Sequence, residues 1–243
     1  MKFRSRFFLI VLATLVPLVS LRADEAGSRL RAVAQKYAPS IVTVAVVISR
    51  GESGDRIELE AEGVIVDASG LIATTNTAID PSSLRGDSEG DGGAVTNVTG
   101  AKILLPEGGE VPARLVLRDK DRNLAFLRPL RPLKLPALPF ASAKGVASQG
   151  DTVTLLGRLG KAGGRLSSVE NARLLAVMKR PRTLYVLPIT YLSRLGEVAF
   201  NESGQLIGLV SLRVLPSRRA SFNQTDQYIA AIVPAADVWA VAR

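Results

Sequence analysis

EGVIVDASGLIATTNTAI, residues 62–79, reads as a strand, a tight turn and a second strand. Apolar and β-branched residues fill both arms, Val64, Ile65 and Val66 before the turn and Leu71, Ile72, Ala73, Thr74 and Thr75 after it. Asp67-Ala68-Ser69-Gly70 between them has the side chains that close a turn by bonding their own backbone or by tolerating a left-handed conformation. Comparable runs recur along the chain, each bounded by Gly, Pro, Asp or Asn. The first series is residues 41–48, 57–66, 71–76, 101–105, 111–118 and 123–128. The second is residues 151–156, 172–178, 184–189, 197–200, 206–213 and 228–233. Six short strands twice over, with no helices between them, predict an all-β chain of two six-stranded antiparallel barrels, because closure removes exposed strand edges. There is no cysteine, so packing alone must hold both barrels.

Working outward, residues 129–147 contain Pro129, Pro132, Pro136 and Pro139, which remove ladder donors, and this stretch is expected to connect the barrels. The first barrel is then residues 39–128, and residues 148–243 hold the second barrel and a closing helix from residue 235. Residues 24–38 have helical spacing, with Leu30, Val33, Ala34 and Tyr37 on one face. Residues 1–23 open with Lys2, Arg4 and Arg6 and continue into an apolar run over residues 7–19. That is the pattern of a signal peptide cut after Ala23, and the run is too short for a spanning helix, so a periplasmic or secreted protein without an integral membrane span is expected.

The formal charge of +9 falls to about +5 once Lys2, Arg4, Arg6 and Arg22 leave with the leader. Arg158, Lys161, Arg165, Arg173, Lys179, Arg180 and Arg182 form a basic cluster, but only Tyr185 is near for stacking, so a solvated face is expected and nucleic acid is not. Asp87, Glu89 and Asp91 imitate the start of a calcium loop, which fails at Val98 where a bidentate glutamate is needed. No metal or cofactor is expected. The sequon Asn97-Val98-Thr99 is assigned no function. Gly160-Lys161 lacks the glycine and hydroxyl of a phosphate loop, with Leu155 and Ala162 in their places.

Taken in order, YAPSIVTVAVV (37–47), the quoted 62–79 segment, VLRDKDRNLAFLR (116–128), GDTVTLLGRLG (150–160) and YIAAIVPAADV (228–238) resemble the chymotrypsin-like domain of HtrA-type serine proteases. The resemblance implies a trypsin-like two-barrel fold and assigns three triad positions. Counted from Gly70, the histidine position is Thr77. The aspartate position is Asn123. Counted back from Gly204 and Leu206-Ile207-Gly208-Leu209, the serine position is Leu195. In the oxyanion region the family's glycines and proline are replaced, with Ser193 two residues before the serine position and Glu197-Val198 after Gly196. HtrA-type proteins carry a PDZ domain after the protease domain, and none is expected in these 243 residues.

In the parent mechanism a histidine takes the serine proton and an aspartate holds the imidazole in the useful tautomer. This chain has no histidine at all, whatever alignment is chosen. A leucine offers no nucleophile, a threonine no base, and Asn123 has no imidazole to orient. The sequence therefore reads as a non-catalytic protease homologue, a pseudoenzyme, binding a peptide or protein partner in the groove between the barrels; its oligomeric state is left open. Two alternatives stand beside it: an active endopeptidase using non-standard residues, such as a serine with Lys144, Lys161 or Lys179 as base, and a structural module of an envelope complex. Asp119 and Asp121, among Arg118, Lys120 and Arg122, are expected to be solvated turn residues.

Overall fold

The 67–70 turn closes as expected. In the computed structural model, which describes residues 17–50, 55–81, 96–214 and 228–243, Asp67 Oδ1 accepts the backbone N–H groups of Ser69 at 2.8 Å and Leu71 at 3.2 Å. Gly70 stands at φ +78°, the left-handed region where a Cβ is penalised. The turn joins β2 (Asp55–Ile65) to β3 (Ile72–Thr75). With β1 (Ile41–Arg50), β4 (Thr96–Leu104), β5 (Glu110–Asp119) and β6 (Leu124–Pro129) they form a closed antiparallel barrel in the order β1-β2-β3-β6-β5-β4. The sequon lies at the start of β4, where Thr99 Oγ1 donates to the Val47 carbonyl at 3.2 Å.

Strand periodicity sorts the side chains into two cores. Val42, Val44, Val46, Ile65, Ile72, Ala125 and Leu127 fill the barrel, while the alternate residues Ile41, Val64, Ala73, Leu124 and Phe126 face outward into a second apolar cluster. Strands β3 and β6 are buried on both faces, which is why they read as continuous apolar runs.

The second half contains β7 (Thr152–Arg158), β8 (Ser167–Arg173), β9 (Ala176–Met178), β10 (Leu184–Val186), β11 (Val198–Phe200), β12 (Leu206–Val214) and β13 (Tyr228–Pro234). They form a sheet in the order β8-β7-β11-β12-β13-β10-β9, seven strands where six were expected. The extra strand comes from a bend. Residues 172–178, read as one strand, break at Leu174–Leu175: the Leu174 N–H donates to Asp151 on the β7 side at 3.0 Å, and the Leu175 N–H donates to Val186 on the β10 side at 2.9 Å. Leu174 is 1% exposed and Leu175 52%, so two adjacent leucines of equal hydropathy take opposite faces of the bend. The two ends of the sheet are halves of one bent segment.

The cluster outside the first barrel also takes Leu156, Val198, Phe200, Leu206 and Leu209 from the second sheet, and so joins the two halves. Leu138 and Phe140 of the connector enter it, and the Leu138 N–H donates to Ile65 at 2.9 Å. Helix α1 (Pro17–Tyr37) starts earlier than the expected residue 24 and runs through the expected cleavage point; the rest of the predicted leader lies outside the described residues. Its Val33 is buried in the shared cluster, and Tyr37 stacks on Phe200 with centroids 4.8 Å apart. Replacing Tyr37 with alanine is expected to lower unfolding free energy by about 1–2 kcal/mol in urea melts, the stacking contribution plus lost burial. A last helix, Ala235–Ala242, follows β13 and buries Val238. Among the described residues no helix is long and apolar enough to cross a membrane. Asp87, Glu89 and Asp91, the partial calcium pattern, lie outside the described residues.

Candidate active-site region

Helix α2 (Asn76–Ile79) begins where β3 ends, and carries Thr77. Asn123 immediately precedes β6, whose pairing with β3 brings the two positions together. Asn123 Oδ1 accepts the Thr77 N–H at 2.9 Å, and its Nδ2 donates to Thr77 Oγ1 and to the Leu212 carbonyl, both at 3.0 Å. The amide orientation is forced, since the Thr77 N–H only donates and the Leu212 carbonyl only accepts. Asn123 also sits at φ +55°, a conformation that asparagine tolerates better than most residues. Its own carbonyl accepts the Asn76 N–H at 3.0 Å and the Ser211 hydroxyl at 3.3 Å. Thr77, Asn123 and Ser211 are all buried. The result is a closed hydrogen-bond set joining α2, β6 and β12.

Leu195 does not join it in any bonded sense. It ends a 3-10 helix, Ile189–Arg194, and is half-buried against the core of the second sheet with Leu192 and Tyr191. Ser193 lies inside that helix, exposed, with its hydroxyl 3.5 Å from the Thr190 carbonyl. Gly196 has φ +98°, and a Cβ there would stand 2.9 Å from the Glu62 carbonyl oxygen, so glycine is required twice over. The Gly196 N–H donates to Val210 at 2.9 Å and the Glu197 N–H to Arg194 at 3.2 Å. Both donors are thus committed within the protein.

Comparison with known proteins adds a family. Residues 61–209, more than half of the chain, match the model described as "Trypsin-like peptidase domain". The chain belongs to that family. No curated protein matches the sequence. Among solved structures the trypsin-like domain is similar to the crystal structure of the MamO protease domain from Magnetospirillum magneticum in its apo form, at 18% identity, covering 83% of this chain and 95% of that one, with a TM-score of 0.55. A likeness at that identity shows the shared fold.

What the sequence reading of this trypsin-like domain missed is a second polar cluster behind Gly196. Glu62 from β2 and Glu197 beside β11 converge over Gly157 of β7: a Cβ on Gly157 would lie 2.5 Å from Glu197 Cγ and 2.6 Å from both Glu62 oxygens. Glu62 Oε1 accepts the Arg158 N–H, while Oε2 is buried without a hydrogen-bond partner. Arg194 Nη1 reaches Glu197 at 2.9 Å, and its Nη2 reaches Glu170 of β8 at 3.1 Å. Burial, followed by the charge of Glu197, raises the Glu62 carboxyl well above the usual carboxylate range. Burial likewise lifts Glu197 to about 7, against the pull of Arg194. The signal in the sequence was Glu62 itself, an acid at the mouth of an otherwise apolar run.

The basic cluster divides on folding. Arg158 is not part of a solvated face: its guanidinium donates to the carbonyls of Ile41 at 2.8 Å, Arg165 at 2.9 Å and Ala38 at 3.2 Å, tying β7 to the start of the first barrel. Arg165 pairs with Glu60 at 2.9 Å. Lys161, Arg173, Lys179 and Arg180 are exposed. Asp119 is more than a solvated turn residue, since it accepts the Arg122 N–H at 2.9 Å and pairs with the Arg122 guanidinium at 2.8 Å. Two surface depressions, of about 300 Å³ beside Thr43, Glu110 and Arg165 and about 400 Å³ beside Ser69 and Arg131, both lie away from Thr77, Asn123 and Leu195.

Proposed function

We propose that this trypsin-like domain is a non-catalytic, exported homologue of HtrA type whose triad positions are Thr77, Asn123 and Leu195, and that it works by binding an extended peptide or protein segment. The observation that carries the reading is the lack of any histidine in the chain, joined to an Asn123 amide whose three side-chain bonds are all taken up by Thr77 and Leu212. No group there takes up a serine proton. The serine–lysine alternative needs a desolvated ammonium, and Lys144, Lys161 and Lys179 are all exposed.

With the Asn123 amide bonded to Thr77 and Leu212, recognition in the inter-barrel groove would rest on main-chain pairing along a strand edge and on apolar contact. The purified mature protein is expected to take no label from a fluorophosphonate probe and to leave casein intact. Leu195→Ser should stay equally inert, because a hydroxyl without a base is not a nucleophile. Labelling of any serine, or sustained peptide turnover, would falsify the non-catalytic reading. Calorimetry against exported proteins of the host is expected to give a saturable signal with an extended segment; stable co-purification in an envelope assembly without such binding would instead favour a structural module.

A further inference from the structure

Glu62 and Glu197 belong to different halves of the molecule and meet at the seam between them. The distances over Gly157 bring the Glu62 oxygens within about 5 Å of Glu197 Cγ, and the charge of Glu197 opposes ionisation of Glu62. The groups facing the pair are few. From the first barrel comes Glu62 alone, with the Glu60–Arg165 pair two residues along the strand. From the second half come Arg158 at the end of β7, Arg194 and Tyr191 on the 3-10 helix, and Glu170 on β8. The Arg158 guanidinium donates to three carbonyls, so Glu62 takes only its backbone N–H as a hydrogen bond and feels the guanidinium through its charge. Arg194 is the cation in ion-pair contact here, and it is shared between Glu197 and Glu170. Arg194 thus contacts two of the three carboxylates, and its charge and that of Arg158 reach Glu62 without an ion-pair contact.

We infer that Glu62 and Glu197 form a proton-operated latch across the seam: with a proton on the pair the two halves stay packed over Gly157, and with both carboxylates ionised their repulsion loosens the seam. Glu62 is the group that holds the proton, because its Oε2 has no donor to stabilise a negative charge, whereas Glu197 has Arg194. The direction of both shifts agrees with this geometry. Both acids bind protons more tightly folded than unfolded, so the native state gains stability at mildly acid pH that is lost as pH rises through their folded values, about 7 for Glu197. This is the reverse of ordinary acid denaturation. For Glu197 alone, a move from the usual value to about 7 changes the folding equilibrium on the order of 100-fold between pH 5 and 8.

The test is hydrogen exchange of the full chain from pH 5 to 8.5, corrected for the intrinsic rate, followed on peptides covering residues 61–65 and 156–160 and, as reference, the β12 core at 206–210. Protection of the two seam peptides is expected to fall as pH rises across this range while the reference holds. Glu197→Gln and Glu62→Gln should each weaken that pH dependence, and the two changes together should remove it. If Glu197→Gln does not fold, Glu62→Gln and carboxyl NMR titration of the unmodified protein carry the test, with at least one glutamate titrating above pH 6. Seam protection that does not change with pH, a uniform loss at all pH values in the variants with the pH dependence unchanged, or no glutamate titrating above pH 5.5 would each overturn the latch.

Discussion

Replacing Asn123 with aspartate is expected to destabilise the protein by about 4 kcal/mol at pH 7. The change removes both Nδ2 donors, so the buried Leu212 carbonyl and Thr77 Oγ1 each lose a partner. It also sets a carboxylate oxygen against the Leu212 carbonyl, acceptor facing acceptor, in a position sealed from water. The new acid answers by holding its proton, since burial beside a carbonyl disfavours the charged form. Its folded pKa is thus raised, and the sign follows: part of the lost stability returns below the unfolded value near 4 and is lost again as pH rises. Urea melts at pH 7 and pH 4 read both effects. A neutral or stabilising effect at pH 7 would mean that the amide is not holding α2 and β12 together.

Gly208→Ala is expected to cost about 3 kcal/mol or more, the upper range for overpacking, because nothing around it can yield. A Cβ at this position would stand 1.9 Å from the Val233 carbonyl oxygen and 2.8 Å from its carbon. Those are backbone atoms of β13, which pairs with β12 from Gly208 opposite Pro234 to Val214 opposite Tyr228. Relief requires prying β13 away from β12 in the centre of the second sheet. Gly160→Ala is the control, since its Cβ would meet nothing within 4 Å, and it should lie within about 0.5 kcal/mol of the unmodified protein. Thermal midpoints of the two variants separate the cases directly.

Gly208 illustrates how the sequence was legible and for what reason. It stood out as part of Leu206-Ile207-Gly208-Leu209, a glycine between aliphatic residues that served to count back to Leu195. Its physical cause, the closeness of β13, belongs to a contact that local pattern does not encode. The bend at Leu174–Leu175 was hidden for a related reason: hydropathy is the same for both leucines, and only their partners, Asp151 and Val186, decide which is buried. The Glu62–Glu197 pair was missed because each acid, read along its own strand, has no neighbour in sequence to suggest the other.

The sequence by itself determined the two-part β architecture, through period-two apolar runs punctuated by turn residues, and it excluded imidazole chemistry, since composition needs no geometry. By resemblance it also suggested Thr77, Asn123 and Leu195 as the positions to compare with a protease triad. Only the tertiary structure decided that Thr77 and Asn123 bond each other, that Leu195 packs into the second sheet, and that two glutamates from opposite halves share one cradle over Gly157. Periodicity is a property of one strand and its two faces. Hydrogen-bond partnership, burial of charge and proton affinity depend on what another strand brings to the same few ångströms.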